Sequence, residues 1–289
     1  MIESAILNNI LVFGPVFLLI AVRAFAMIQT APLLSSEAIP MTAKFALAGF
    51  AAFAVIPTAE IFAAANSPSG LISLPGGETT DLRYEPFGLR FAVLVAGEAI
   101  IGIIIGFYMT IIFATFSTAG QFFSLQMGFG ASETFDPIGQ IENPLMGQYF
   151  NLVSMLIFLV IGGFHQLFLG GFWRSVQTIN IISLIEGREA VVSMLASGLS
   201  RLFLDAIVIS LPILGTLFLT SLTTGLISKA APQINILSEG FPISITTAFI
   251  LLFASLPFMI EAFARVIDSG FSSIQTLYTQ IGRQITGGF

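Results

Sequence analysis

The chain has 289 residues, 56% of them apolar and only 9% charged, with 16 acidic side chains against 10 lysines and arginines, one histidine and no cysteine. A soluble domain carries about 25% charged residues, so water alone does not keep this surface dispersed, and the acidic balance excludes a binder that neutralises nucleic-acid phosphates. Without cysteine there is neither a disulfide framework nor a thiolate metal site, and a lone histidine leaves little for zinc or proton-relay chemistry; no cofactor is expected.

The charges leave long gaps, at 4–22, 45–59, 99–132, 143–173, 206–228 and 240–260. Most are long enough to cross hydrocarbon, which takes about 20 helical residues. Runs such as Ala99-Ile-Ile-Gly-Ile-Ile-Ile-Gly do not alternate between apolar and polar, so the segments read as helices rather than transmembrane strands. In chain order the predicted elements are six apolar segments at 5–34, 43–65, 89–119, 144–173, 202–228 and 241–264. The class is all-α and membrane-associated.

Pro15 and Arg23 interrupt the first segment, which reads as one helix or as two shorter ones, and Pro57, Pro212 and Pro257 mark kink positions in three others. Only Glu3 precedes the first segment, so a cleaved signal peptide is not expected and this helix should stay in the mature chain. The linker 66–88, with Ser67-Pro-Ser-Gly and Pro75-Gly-Gly, is built of turn residues and reads as an exposed insertion. The stretch 120–143 also has turn chemistry, yet it keeps Phe122, Phe123, Met127, Phe129 and Phe135. Simple alternation of six spans puts Arg83, Arg90, Arg174, Arg188, Arg201, Arg265 and Arg283 on one side and Lys44 and Lys229 on the other, which places the termini in the cytoplasm. Arg23 fits neither side.

Every fourth residue from Glu98 gives Gly102, Gly106, Thr110, Ala114 and Thr118, a stripe of small residues that lets two helix backbones approach closely. Composition leaves open whether the approaching helix belongs to this chain or to another subunit. Glu98 and Asp205 lie at the edges of apolar blocks, as interfacial or paired carboxylates or as proton carriers. His165, in Gly-Gly-Phe-His-Gln, reads as a hydrogen-bonded packing residue. The segment Gln126 to Pro137 joins hinge glycines to bulky apolar side chains, either to seal a narrow passage or to lie as a re-entrant loop against its own helices.

Several separated motifs carry a resemblance: Arg23 with Ala31-Pro-Leu-Leu-Ser and Ile39-Pro40, then Gln126-Met-Gly with Phe135-Asp-Pro, then Lys229-Ala-Ala-Pro-Gln-Ile-Asn-Ile236 followed by Gly240-Phe-Pro242. In this order and spacing the chain resembles, from about residue 10 to residue 265, the FliR/SpaR/YscT/HrcT family of export-gate subunits. The family's usual arginine is replaced by Lys229, which substitutes a point charge for a bidentate donor, and its usual asparagine in the preceding helix is replaced by Ser221.

The resemblance implies a single export-gate domain over 1–289. Its long, kinked helices and helical hairpins fuse a FliP-like part, 1–200, to a FliQ-like part, 201–289. It implies a core subunit of the flagellar type III gate, joining FliP and FliQ in a closed helical assembly that unfolded export substrates traverse, with FlhB and FlhA as neighbours. The place it implies is the bacterial inner membrane at the flagellar basal body, against membrane lipid, with much of the assembly on the periplasmic side.

The loop residues Met127, Phe129, Ala131, Thr134 and Phe135 become a plug of the passage. Lys229, Pro232, Gln233, Arg23, Glu98, Gly102 and Gly106 become subunit-contact residues. The same motifs fit a virulence injectisome, while a self-contained secondary transporter would need repeated polar clusters at mid-membrane that the sequence lacks. No catalytic constellation or Walker-type phosphate loop is present in the sequence, and no enzyme activity is expected.

Overall fold

The structure, a computed structural model, describes residues 2–56, 72–73, 79–80, 88–128, 145–231 and 236–286. In chain order come α1 (Ile2–Thr30), α2 (Met41–Val55), a short antiparallel pair β1 (Ile72–Ser73) and β2 (Thr79–Thr80), α3 (Leu89–Met127) and α4 (Leu145–Val160). After these follow α5 (Gly163–His165), a π-helical stretch at Gln166–Trp173, α6 (Arg174–Thr178), α7 (Ile181–Glu186), α8 (Arg188–Ala230) and α9 (Ile236–Thr286). The β pair, with Ile72 opposite Thr80, lies inside the expected 66–88 insertion and leaves the class all-α.

Four predicted boundaries change. α1 is one helix with Pro15 inside it, because a proline deletes one backbone bond while the residues around it keep theirs. α3 runs on to Met127 instead of stopping at Ala119; Gly120, which reads as a turn residue, sits where a Cβ would lie 2.4 Å from the Met146 carbonyl oxygen, so it is there for close helix packing. The segment 144–173 breaks at Gly162, whose φ of 72° is costly for any residue with a Cβ, and the helix is bent there. α8 and α9, at 43 and 51 residues, extend well beyond the uncharged gaps that located them.

The span count changes accordingly. Among the described residues three helices are long and apolar enough to cross a membrane, Phe91–Met127, Arg188–Ala230 and Pro242–Gly282, with a fourth if the bent pair counts as one. The described apolar stretches Gly14–Thr30 and Met41–Val55 are shorter.

The chain forms two units, and it passes between them inside α3, α8 and α9 and at the break between Ile161 and Gly162. The first comprises Met1–Thr110, Gly162–Ser197 and Gly270–Phe289. In it α1 and α2 form a hairpin: the Phe25 and Phe45 rings stack with centroids 4.4 Å apart, and Gly49 faces Phe17, so the helices run antiparallel. Lys44, at the start of α2, is buried and donates to the Ser35 carbonyl at 2.9 Å and to Gln29 Oε1 at 3.3 Å, tying the 31–40 connection to both helices. Leu33 in that connection has φ 70°, a conformation that leucine adopts only where the surroundings enforce it.

The second unit comprises Ile111–Ile161 and Gly198–Ser269. Phenylalanines build its core. Phe116 and Phe263 lie 4.3 Å apart between centroids, Phe123 and Phe150 meet edge-to-face at 4.9 Å, and Phe113 meets Phe158 at 5.4 Å. These rings join the end of α3 to α4 and α9. Rings in such arrangements contribute about 0.5–1.5 kcal/mol per pair beyond the area they bury.

Candidate functional site

The polar centre of the first unit is Arg23, 2% exposed about two turns before the end of α1. All three of its donor nitrogens are engaged. Nε donates to Glu98 Oε2 on α3, Nη1 to Ser175 Oγ on α6 at 3.2 Å, and Nη2 to the Ile179 carbonyl at 2.9 Å. The guanidinium suits this task because its donors leave a rigid planar fork in three directions. Ser175 Oγ in turn donates to the Phe172 carbonyl at 2.6 Å, and the Tyr278 hydroxyl of α9 donates to the Gly171 carbonyl at 2.7 Å. Both carbonyls belong to the π-helical stretch, where backbone pairing departs from the α pattern and side chains help to hold it.

The stripe from Glu98 meets α1 residue by residue. A Cβ on Gly102 would stand 2.3 Å from the Arg23 carbonyl oxygen, and one on Gly106 would stand 2.7 Å from that of Met27. Thr110 Oγ1 donates to the Thr30 carbonyl at 2.8 Å, satisfying an acceptor that the end of α1 leaves open. The positions rise together along both helices, so α1 and α3 pack parallel with nearly touching backbones. Arg23, Glu98, Gly102 and Gly106, expected at a subunit contact, thus meet one another inside the chain, and Glu98 is a paired carboxylate.

Other expected site residues fall differently. Met127 is the last residue of α3 and is buried; Phe129, Ala131, Thr134 and Phe135 lie outside the described residues, as do Pro232 and Gln233. Lys229 is exposed in the last turn of α8, where a cation complements the carbonyl end of the helix. His165 is exposed, which corrects the packing role expected of it. Sequence reasoning missed Ser175 and Tyr278, whose partners are backbone carbonyls that leave no pattern in a sequence. It also missed the Asn180–Ser183 capping box that starts α7, a local spacing that was open to reading.

Outside these contacts the helices are unfinished. In the most apolar stretch of Phe91–Met127, 61% is buried within the chain; in the corresponding stretches of α8 and α9 the shares are 33% and 17%. A helix apolar all round and covered on one narrow side requires either lipid or another protein for the rest.

Long helices locked by one buried ion pair, with apolar flanks left open, define a membrane-associated protein whose packing is completed from outside the chain. The comparisons give that class its family. Residues 15–270 match the bacterial export proteins, family 1, and the chain belongs to that family, which is one of protein-export components rather than of enzymes. It is 26% identical to the flagellar biosynthetic protein FliR of Bacillus subtilis over 278 residues, 96% of this chain and 99% of the relative. To FliR of Borreliella burgdorferi it is 33% identical over 196 residues, 68% of this chain and 73% of the relative. To the surface presentation of antigens protein SpaR of Shigella sonnei it is 27% identical over 161 residues, 55% of this chain and 61% of the relative.

Removing one partner of a buried ion pair strands the other and costs about 3–5 kcal/mol. Arg23→Met is expected to lose about that much, and Arg23→Lys nearly as much, because one ammonium cannot reach acceptors on α3, on α6 and at Ile179 together. Thermal unfolding in detergent measures both, and a lysine variant as stable as wild type would sink the three-way account.

Proposed function

We propose that the chain is a core subunit of the flagellar type III protein export gate, assembling with FliP and FliQ into a closed helical complex through which unfolded flagellar proteins cross the inner membrane. The observation that carries this reading is the FliR likeness extending along nearly the whole of both chains. The open apolar flanks of α8 and α9 support it, since they are what a subunit of a larger helical assembly would present. The flagellar branch is favoured over the injectisome because the SpaR likeness covers 55% of the chain and the Bacillus FliR likeness 96%.

In this reading FlhB and FlhA are neighbours, and much of the assembly stands on the periplasmic side of the membrane. The division into a FliP-like part, 1–200, and a FliQ-like part, 201–289, concerns ancestry, and the two packed units cross it. Arg23, Glu98, Gly102 and Gly106 then act on the subunit contacts by fixing the frame that carries them. Lys229 and the following Ala230-Ala-Pro-Gln233 sequence are the direct contact, motivated by a cation exposed at the end of an apolar helix. Met127, Phe129, Ala131, Thr134 and Phe135 form the closed-state plug, with Met127 anchoring the loop in the body of the chain.

Two experiments test this. A complex purified from membranes at native expression should contain FliP and FliQ, and Lys229→Glu should lower their recovery several-fold; absence of both partners from the wild-type particle would overturn the assignment. Deleting Gly128 to Phe135 should make resting cells leak small ions while the complex still forms. Membranes as tight as wild type with normal export would remove the plug.

A further inference from the structure

Within the first unit, α2 and the π-helical stretch border an apolar cavity of about 350 Å³. Ala51 and Ala54, about one turn apart on α2, lack the bulk to fill the space beside them. Buried Ala51, Val55 and Phe172 form its floor, while Phe50, Ala54 and Leu169 are exposed at its rim. The volume falls in the range of about 300–1,000 Å³ typical of small-molecule clefts, and so apolar a lining offers water few partners. Hydrocarbon is the occupant such walls suit.

Two polar groups beside the cavity are unpaired. Trp173 lines it, and the indole Nε1 is covered and has no acceptor among the described residues. Arg174, the next residue, is exposed, and among the described residues no carboxylate pairs with it. A covered donor without an acceptor is costly, and a guanidinium is suited to phosphate. These two residues also stand where the uncharged stretch 143–173 ends, and a tryptophan followed by a cation is the pattern of an apolar segment meeting a membrane interface. An apolar side chain from a protein partner would fill the cavity and answer neither group. A phospholipid carries hydrocarbon, an ester carbonyl and a phosphate in that order, which matches the order of cavity, indole N–H and guanidinium.

We propose that this cavity holds one acyl chain of a membrane phospholipid, with Arg174 on the phosphate and with Trp173 donating to an ester carbonyl once its ring turns the nitrogen toward the cavity. The seated chain fills the space between α2 and the π-helical stretch, so lipid acts here as a fitted part of the first unit rather than as solvent.

The test uses the intact complex in vesicles of phosphatidylethanolamine and phosphatidylglycerol, part of the phosphatidylglycerol carrying a photoreactive diazirine midway along one acyl chain. After irradiation, peptide mass spectrometry should place adducts on Phe50, Ala54 or Leu169. Ala54→Phe, which fills the cavity from its exposed rim, should lower these adducts at least fivefold while those on α8 stay unchanged and the chain is recovered at its normal level. Trp173→Phe, which keeps a ring and removes the donor, and Arg174→Gln should each lower them about threefold. Labelling of α8 with none at the three cavity residues would overturn the proposal. So would cavity labelling indifferent to Ala54→Phe, which reports only bulk lipid passing over the surface, or labelling unchanged in both Trp173→Phe and Arg174→Gln. A photoreactive amino acid placed at Ala54 gives an independent check: phospholipid adducts support the site, and crosslinks to protein alone overturn it. Recovery of FliP and FliQ in the same preparation reports separately on the gate assignment, on which this site does not rest.

Discussion

The first unit depends on a charge held where charge is expensive. Arg23 lies in an apolar helix with almost no exposure, and an unpaired guanidinium there is not tolerated, so the chain must deliver acceptors to it from wherever they can come. They arrive from α3, from α6 and from the backbone that follows α6, as far as 156 residues away in sequence. Among apolar surfaces this matters more than it would in water: helices packed by Leu, Ile and Phe slide and rotate against one another at little cost, while a planar donor with three partners permits one arrangement. The glycines at 102 and 106 are the steric half of the same device. They bring α3 close enough for Glu98 to reach Arg23, and the pair then holds the glycines against α1.

A second constraint follows from the scarcity of water near such surfaces. A hydroxyl that is not solvated is stabilised by a carbonyl, and in this chain, buried Ser124 Oγ excepted, the carbonyls are mostly close at hand. Thr110 uses the open end of α1, Ser175 and Tyr278 use the π-helical stretch, and the threonines of α8 bond back to their own helix. Irregular backbone is thus kept where side chains can pair with it, in line with the cost of unpaired peptide groups in apolar surroundings. The π-helical residues sit beside the Arg23 centre within the same unit, through Ser175, which accepts from Arg23 and donates to the Phe172 carbonyl. That centre therefore positions the part of the chain whose backbone departs furthest from a regular helix.

How far the sequence was legible follows from the same physics. The helical class and the stripe from Glu98 to Thr110 could be read because both rest on local spacing. The awkwardness of Arg23 was visible too, but its remedy was not: Glu98 is 75 residues away, and nothing in either neighbourhood points to the other. Helix ends were misplaced where one residue type serves two purposes. Gly120 resembles a turn and is a packing surface, and the charges after Arg188 and Arg265 resemble loops although they occupy the polar side of continuing helices. Uncharged length located the most apolar part of each helix and missed its amphipathic continuation.

The unevenness of burial is the remaining physical fact to be accounted for. α3 spends most of its apolar surface on the chain's own core, whereas α8 and α9 cover one narrow side and leave the others open. If lipid were the intended solvent for those faces, the open length should match the bilayer and the polar residues should gather at its two edges. Instead Arg201 and Asp205 interrupt the open apolar side chains of α8, with exposed Leu199 on one side and Val208 on the other. A surface of that kind resembles half of a protein core. Such faces require lipid or another protein to cover them, which is why the fold of this one chain is best understood as part of a larger packing problem.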